Sequence, residues 1–168
     1  MGYSVHITVP RQEKCVIVLA PHTSNWDFFI CLLYRGATGE RTSFLMKKEW
    51  FFWPLGYVMR YLGGIPVYRN KHCNTTVRIA EEAKKVDKFR LCITPEGTRK
   101  ANAEWKKGFY YIALNAGVPI LLYGLDYERK LIVCQKSIVP NGDVEGQMAE
   151  IKEYYKGFKG RHPEQFAI

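Results

Sequence analysis

Two short segments hold side chains that together could move a proton and grip an anion. In Ala20-Pro21-His22-Thr23-Ser24-Asn25-Trp26-Asp27, a histidine and an aspartate stand five residues apart. A carboxylate placed there can accept a hydrogen bond from one imidazole nitrogen. The other nitrogen is then left as an acceptor, and the imidazolium formed on taking a proton is stabilised. The spacing has a plainer use too: Asp27 favours the positive end of a helix, and His22 is an ordinary loop residue. In Thr94-Pro95-Glu96-Gly97-Thr98-Arg99-Lys100, Gly97 permits a tight turn and Arg99 offers a planar fork that fits a phosphate. The plainer use of that segment is a polar surface turn with an ion pair. A third segment, Gly63-Gly64-Ile65-Pro66-Val67-Tyr68-Arg69, adds a second cationic fork beside glycines that let a backbone approach closely.

Something must hold these segments together, and the apolar pattern says what. Cys15 to Ala20 is β-branched, compact and stopped by Pro21, which predicts a buried strand. A helix is expected from Asp27 to Tyr34 with Ser24 or Asn25 as its cap. Arg41–Met46 and Ile65–Val67 read as strands on either side of an aromatic-rich stretch, Glu49 to Leu62, that Pro54 interrupts. A helix follows from Asn74-Thr75-Thr76 to about Lys85, and Arg90–Thr94 is the next strand. Lys106–Ala116 is a helix stopped by Gly117. Pro119–Leu125 and Lys130–Cys134 are strands that could pair around Asp126-Tyr127-Glu128-Arg129, and a last helix covers Val144 to Lys156. The tail from Arg161 carries no signal. Strands alternating with helices predict a single α/β domain over residues 1–168, with a mixed, mostly parallel sheet flanked by helices. Ligands of such sheets bind beyond the carboxyl ends of strands, where the His22 and Glu96 segments both fall.

Composition narrows the partners. Across 168 residues, 47% are hydrophobic and 24% charged, which argues against disorder, collagen and coiled coil. With 25 Lys and Arg against 16 Asp and Glu, the net charge of +9 points to anionic partners. Five cysteines without a Cys-x-x-Cys pair suggest neither a disulfide framework nor a zinc ribbon, and a reducing, cytosolic compartment is expected. No apolar run is long enough for a signal peptide or a spanning helix. The stretch Trp50 to Tyr61 holds six aromatics in twelve residues, flanked by Lys47 and Lys48 and containing Arg60. That combination suits the interface of an anionic membrane, and it equally suits a buried core helix or an acyl-chain channel.

Taken in order along the chain, these segments resemble the glycerolipid acyltransferase family, whose bacterial type member is 1-acylglycerol-3-phosphate acyltransferase. His22 and Asp27 match its His-x4-Asp motif. Gly64 to Arg69 approximates its second block. Pro95 to Arg99 matches Pro-Glu-Gly-Thr-Arg residue for residue, and Val118-Pro119 meets the fourth block. Lys106-Lys107-Gly108 is similar to a Lys-x-Gly run that often follows the third. The sequence departs from the common pattern at Ala20-Pro21, where many members have Asn before the histidine, and at Tyr68.

The resemblance implies transfer of an acyl group from a thioester, on coenzyme A or acyl carrier protein, to a hydroxyl of a lysophosphatidic acid-like acceptor. His22 would be the general base and Asp27 its orienting carboxylate. Glu96, Gly97, Thr98, Arg99, Arg69 and Lys106 would bind substrate, with Arg99 and Arg69 on the acceptor phosphate and Glu96 orienting Arg99 or meeting acceptor hydroxyls. Backbone N–H groups near Gly97 are candidates for holding the oxyanion. No acyl-enzyme nucleophile stands out, since Ser24 lies in no nucleophile-elbow pattern, so direct transfer is expected. The resemblance implies no metal and no cofactor beyond the acyl-CoA or acyl-ACP co-substrate. Partners expected on this basis are the acyl donor, the lysophospholipid-like acceptor and a peripheral contact with the cytoplasmic face of an anionic membrane. A different acceptor, such as a lyso-aminolipid, would turn Arg69 and Arg99 toward a carboxylate. A nucleic-acid-binding module is disfavoured, because the basic residues are spread along the chain rather than clustered.

Overall fold

A computed structural model describes residues 2–67 and 75–168. Among these, seven strands form one sheet: β1 (Ser4–Ile7), β2 (Lys14–Ala20), β3 (Ser43–Lys47), β4 (Gly64–Val67), β5 (Phe89–Ile93), β6 (Ile120–Asp126) and β7 (Leu131–Ile138). Their spatial order is β1-β7-β6-β2-β5-β3-β4. Every neighbouring pair is parallel except β6 and β7, which form the antiparallel hairpin expected around residues 126–129. The helices are α1 (Asn25–Thr38), α2 (Leu55–Tyr61), α3 (Thr75–Lys85), α4 (Gly108–Ala116) and α5 (Val144–Tyr155). The mixed, mostly parallel α/β architecture is as the alternation of elements predicted. Two differences concern edges. β1 is not among the predicted strands, because all four residues of Ser4–Ile7 are exposed and form no buried apolar run. The aromatic stretch splits at Pro54 into a single 3-10 turn, Lys48–Trp50, and the short α2.

Strand β2 explains the layering. Its side chains alternate between the two faces, as an extended chain requires. Val16, Val18 and Ala20 join Leu91, Ile120 and Leu122 beneath α3, α4 and α5, where Phe109, Ile112, Met148, Ile151 and Tyr155 pack. Cys15, Ile17 and Leu19 face the opposite way, with Leu121, Tyr123 and Leu125, against Ile30 of α1. Strands covered on both faces read as unbroken apolar runs, which is why Cys15–Ala20 stood out in the sequence. The Tyr155 hydroxyl ties α5 to the sheet, donating to the main-chain carbonyls of Val18 at 2.8 Å and Tyr123 at 3.2 Å.

The α1 face holds four free cysteines, Cys15, Cys31, Cys92 and Cys134. Burial pushes the Cys15 thiol up to about 11 and those of Cys92 and Cys134 up to about 12, and it raises Cys31 well above the ordinary thiol range. Cys73 falls outside the described residues.

Candidate active site

Three adjacent parallel strands build the site. In the order β6-β2-β5 they run in one direction, so their carboxyl ends meet at one edge of the sheet. Chain leaving β2 gives His22 to Asp27, chain leaving β5 gives Pro95 to Arg99, and chain leaving β6 gives Tyr127. Neighbouring strand ends thus bring together residues that lie about a hundred positions apart in sequence.

The first loop is organised by Asp27. Ser24 caps α1, its hydroxyl accepting from the Trp26 N–H at 3.2 Å, while Asp27 Oδ2 reaches back to accept from the Ser24 N–H at 2.9 Å. This reciprocal capping box satisfies main-chain donors that a helix start otherwise leaves open, typically worth about 1 kcal/mol. Oδ2 also accepts from the Thr23 N–H at 2.9 Å and lies 3.1 Å from His22 Nδ1. The two uses that the sequence offered for Asp27 therefore coexist geometrically: the carboxylate caps the helix and also faces the imidazole. Asp27 is wholly buried, and the His22 side chain is 20% exposed. The His22–Asp27 contact is close but not aligned as a hydrogen bond. Such contacts commonly tighten only when substrate is present. With Nδ1 turned to Asp27, Nε2 is the nitrogen left to accept a proton.

Glu96 is also wholly buried. Its Oε1 accepts the His22 N–H at 2.8 Å, and Oε2 has no hydrogen-bonding partner among the described residues. Desolvation, reinforced by the nearby Asp27 charge and only partly offset by the His22 N–H, raises the Glu96 carboxyl to about 8. A neutral acid is the form this pocket favours.

Arg99 takes a different partner. Its Nη1 donates to Asn25 Oδ1, linking the loop after β5 to the first turn of α1. Gly97 adopts φ +64, in the region that favours glycine, and the aliphatic stem of Lys106 fills the space beside it, 2.9 Å from where a Cβ would stand. The Gly97 N–H closes the turn onto Thr94 O at 3.2 Å and is thereby committed, so an oxyanion donor in this loop would have to be another N–H. The Lys106 N–H donates to Pro95 O at 2.9 Å. Thr98 sits in the same turn, its hydroxyl accepting from the Lys100 N–H at 3.3 Å. His22, Asp27, Glu96, Gly97, Thr98, Arg99 and Lys106 are therefore one neighbourhood. Arg69 lies outside the described residues.

Three supports had no signal in the sequence. The Tyr127 hydroxyl donates to Asp27 Oδ1 at 2.6 Å. The Asn102 side-chain amide donates to the carbonyls of Glu96 at 3.0 Å and Glu104 at 3.1 Å, bracing the second loop. Residues 160–162 lie against the first loop: the His162 N–H donates to Thr23 Oγ1 at 3.2 Å, and Gly160 approaches Thr23 so closely that a Cβ would fall 2.6 Å from Oγ1. Tyr127 could have been found only by knowing that β6 pairs beside β2.

The aromatic stretch leaves the carboxyl end of β3, which points to the same edge as β5. Phe51, Gly56 and Met59 pack inward. Trp50, Phe52, Trp53, Tyr57, Val58 and Tyr61 are exposed, Trp53 at 80% and Tyr61 at 87%, so this stretch is not a plain core helix. Trp26, Phe29 and Leu33 form a second exposed apolar stripe on α1, and Arg161 stacks over Trp26 at 5.4 Å from its ring centre. Among the described residues, no helix is long and apolar enough to cross a membrane.

Comparison with known proteins places the chain in a family. Residues 4–122 match the family described as Acyltransferase. The chain is 30% identical, over 160 residues, to 1-acyl-sn-glycerol-3-phosphate acyltransferase beta of Homo sapiens. That match covers 89% of this chain and 56% of the human protein, so the chain spans little more than half the length of this relative.

Proposed function

This chain belongs to the acyltransferase family, and from that premise we propose that it moves a fatty acyl group from a thioester to a hydroxyl of a lysophosphatidic acid-like acceptor. The observation that carries the reading is the His22–Asp27 pair, 3.1 Å apart, at the strand end shared with Arg99. An alcohol is too weak an acid to attack a thioester unaided. His22 Nε2 takes the hydroxyl proton as the oxygen bonds to the thioester carbonyl carbon. Asp27 holds the ring and stabilises the imidazolium. Collapse of the tetrahedral intermediate breaks the carbon–sulfur bond, and the imidazolium returns its proton to the departing thiolate. General-base help of this kind supplies about 10²–10⁴-fold.

Arg99 and Lys106 supply positive charge at the loop that would receive the acceptor phosphate, with Arg69 as a further candidate. Thr98 and Gly97 shape that loop. Glu96, buried and turned to the His22 main chain, fits a role in holding the base better than one facing a phosphate. The donor carrier is coenzyme A or acyl carrier protein, both of which present the same thioester. The relative's printed name specifies 1-acyl-sn-glycerol-3-phosphate, and we extend that acceptor class to this chain. Exposed aromatics at residues 50–61, flanked by cations, support peripheral contact with an anionic membrane at its cytoplasmic face.

The test follows free thiol release from long-chain acyl-CoA and acyl-ACP, with and without 1-acylglycerol-3-phosphate. Acceptor-dependent release that falls by about 10²-fold or more in His22→Ala supports the reading. Equal activity in wild type and variant excludes His22 as base. Release without acceptor would mean a thioesterase. Release only with a lyso-aminolipid would move the acceptor to that class.

A further inference from the structure

Asp27 is the buried carboxylate on which the base depends, and its two oxygens are held differently. Oδ2 meets the Thr23 and Ser24 N–H groups and His22, all within its own loop. Oδ1 is held from across the sheet by the Tyr127 hydroxyl, the shortest of these contacts at 2.6 Å. We propose that Tyr127, which lies beyond the family-matched segment 4–122, is a positioning residue for His22 that acts through Asp27. The inference rests on the acyl-transfer reading above.

The chain fixes Tyr127 from several sides. Just before it, Asp126 is buried and accepts from Arg129 N–H at 2.8 Å and from the Arg129 guanidinium at 2.7 Å, which closes the turn. The same guanidinium donates to Gly157 O at 2.7 Å. The Tyr127 N–H donates to Lys159 O at 2.9 Å, and its ring packs edge-on against Tyr3, 5.9 Å between centres. The phenol therefore meets Oδ1 from the end of β6 and the 157–159 segment, not from within the loop that carries His22. Burial and the hydrogen-bonded Asp27 carboxylate raise the phenol above its ordinary range, so at neutral pH it is protonated and able to donate.

Without that donor, one oxygen of a fully buried carboxylate loses its partner. The carboxylate could then turn about its last torsion and take Oδ2 away from His22. Partners that orient a reacting group through another residue are rarely visible in motifs, because they follow from strand adjacency rather than spacing.

The experiment compares wild type, Tyr127→Phe, Asp27→Asn, the double variant and His22→Ala, using thiol release from long-chain acyl-CoA with 1-acylglycerol-3-phosphate. Tyr127→Phe keeps the ring and its contact with Tyr3, and a thermal melt verifies that it is folded at the assay temperature. The expected result is a fall in kcat of about tenfold with KM for both substrates within about twofold, and no further fall when Tyr127→Phe is added to Asp27→Asn. An unchanged kcat in Tyr127→Phe, a loss confined to KM, or an equal tenfold loss on top of Asp27→Asn overturns the inference while leaving His22 as base. Should the Asp27→Asn pair be too slow to measure, the division between kcat and KM decides. Full activity in His22→Ala removes His22 as the base and this inference with it, whereas an inert wild type defeats the acyl-transfer reading itself.

Discussion

The main-chain N–H of His22 donates to the side chain of Glu96 at 2.8 Å, joining positions 74 residues apart. Glu96 thus holds the loop that carries the base by its backbone, while Asp27 meets the same residue at its ring. The proposed base is held at its main chain and at its ring by two buried carboxyl groups in different surroundings. Asp27 accepts from three donors, whereas Glu96 accepts from one and is placed where a charge is disfavoured.

That difference gives a pH signature in stability. Folded Glu96 keeps its proton up to about pH 8, whereas in the unfolded chain it ionises from about 4.5. Between those values the unfolded state binds fewer protons, so stability falls as pH rises and levels off above about 8. Glu96→Gln, which still offers an oxygen to the His22 N–H, is expected to flatten this part of the profile. It should gain on the wild type by up to a few kcal/mol at pH 8 to 9 and lose the gain near pH 4.5. Urea unfolding across that range measures it, and parallel profiles for the two proteins would rule it out.

Arg99 is expected to read the acceptor, not the acyl chain. Arg99→Lys keeps a charge but removes the planar fork, and Arg99→Ala removes both. Acceptor KM should rise about tenfold in the first and more in the second, with thioester KM changed less than about threefold. A rise of equal size for a phosphate-free lyso-lipid would show that Arg99 does not recognise phosphate.

The exposed aromatics should bind lipid without supporting the fold. Each such ring transferred from water contributes about 1.5–3 kcal/mol. Replacing Trp53 and Tyr61 together with Glu should weaken sedimentation with phosphatidylglycerol vesicles by at least about tenfold. The thermal midpoint should move by no more than about 2 °C, because both rings are solvent-exposed. Undiminished vesicle binding would remove this stretch from the membrane contact.

Gly160 is placed where no larger residue fits. A Cβ there would meet Thr23 Oγ1 at 2.6 Å and Pro21 Cβ at 3.1 Å, both in the loop that carries His22. Gly160→Ala is expected to cost about 1–3 kcal/mol in stability and to lower kcat, since the strain falls on the base's own loop. Chemical denaturation and steady-state kinetics on one preparation test both, and a variant with native stability and rate would place the strain elsewhere.

Much of this was legible from residues alone. Buried strands such as Cys15–Ala20 stand out because both faces are covered, and Ser24 with Asp27 marks a helix start by chemistry. The His22 and Glu96 segments could be paired because each follows a strand. Illegible were contacts set by strand order. Tyr127 reaches Asp27 only because β6 lies beside β2, and the chain after Arg161 carries no pattern although His162 braces Thr23. The exposed strand Ser4–Ile7 had no burial pattern to betray it, since it joins the sheet through its main chain along β7.

The four thiols of α1 and the sheet face beneath it give the molecule a built-in reporter of its own breathing. The thiolate is the form that attacks a disulfide reagent, and burial withholds that form from Cys15, Cys31, Cys92 and Cys134 alike. With Cys73 replaced by Ser, labelling would then count openings of a single face of the sheet. Cys31 reports on α1 itself, and Cys15, Cys92 and Cys134 on three separate strands beneath it. Their relative labelling rates would show whether the helix that starts at the base's loop lifts alone or only when the whole sheet parts.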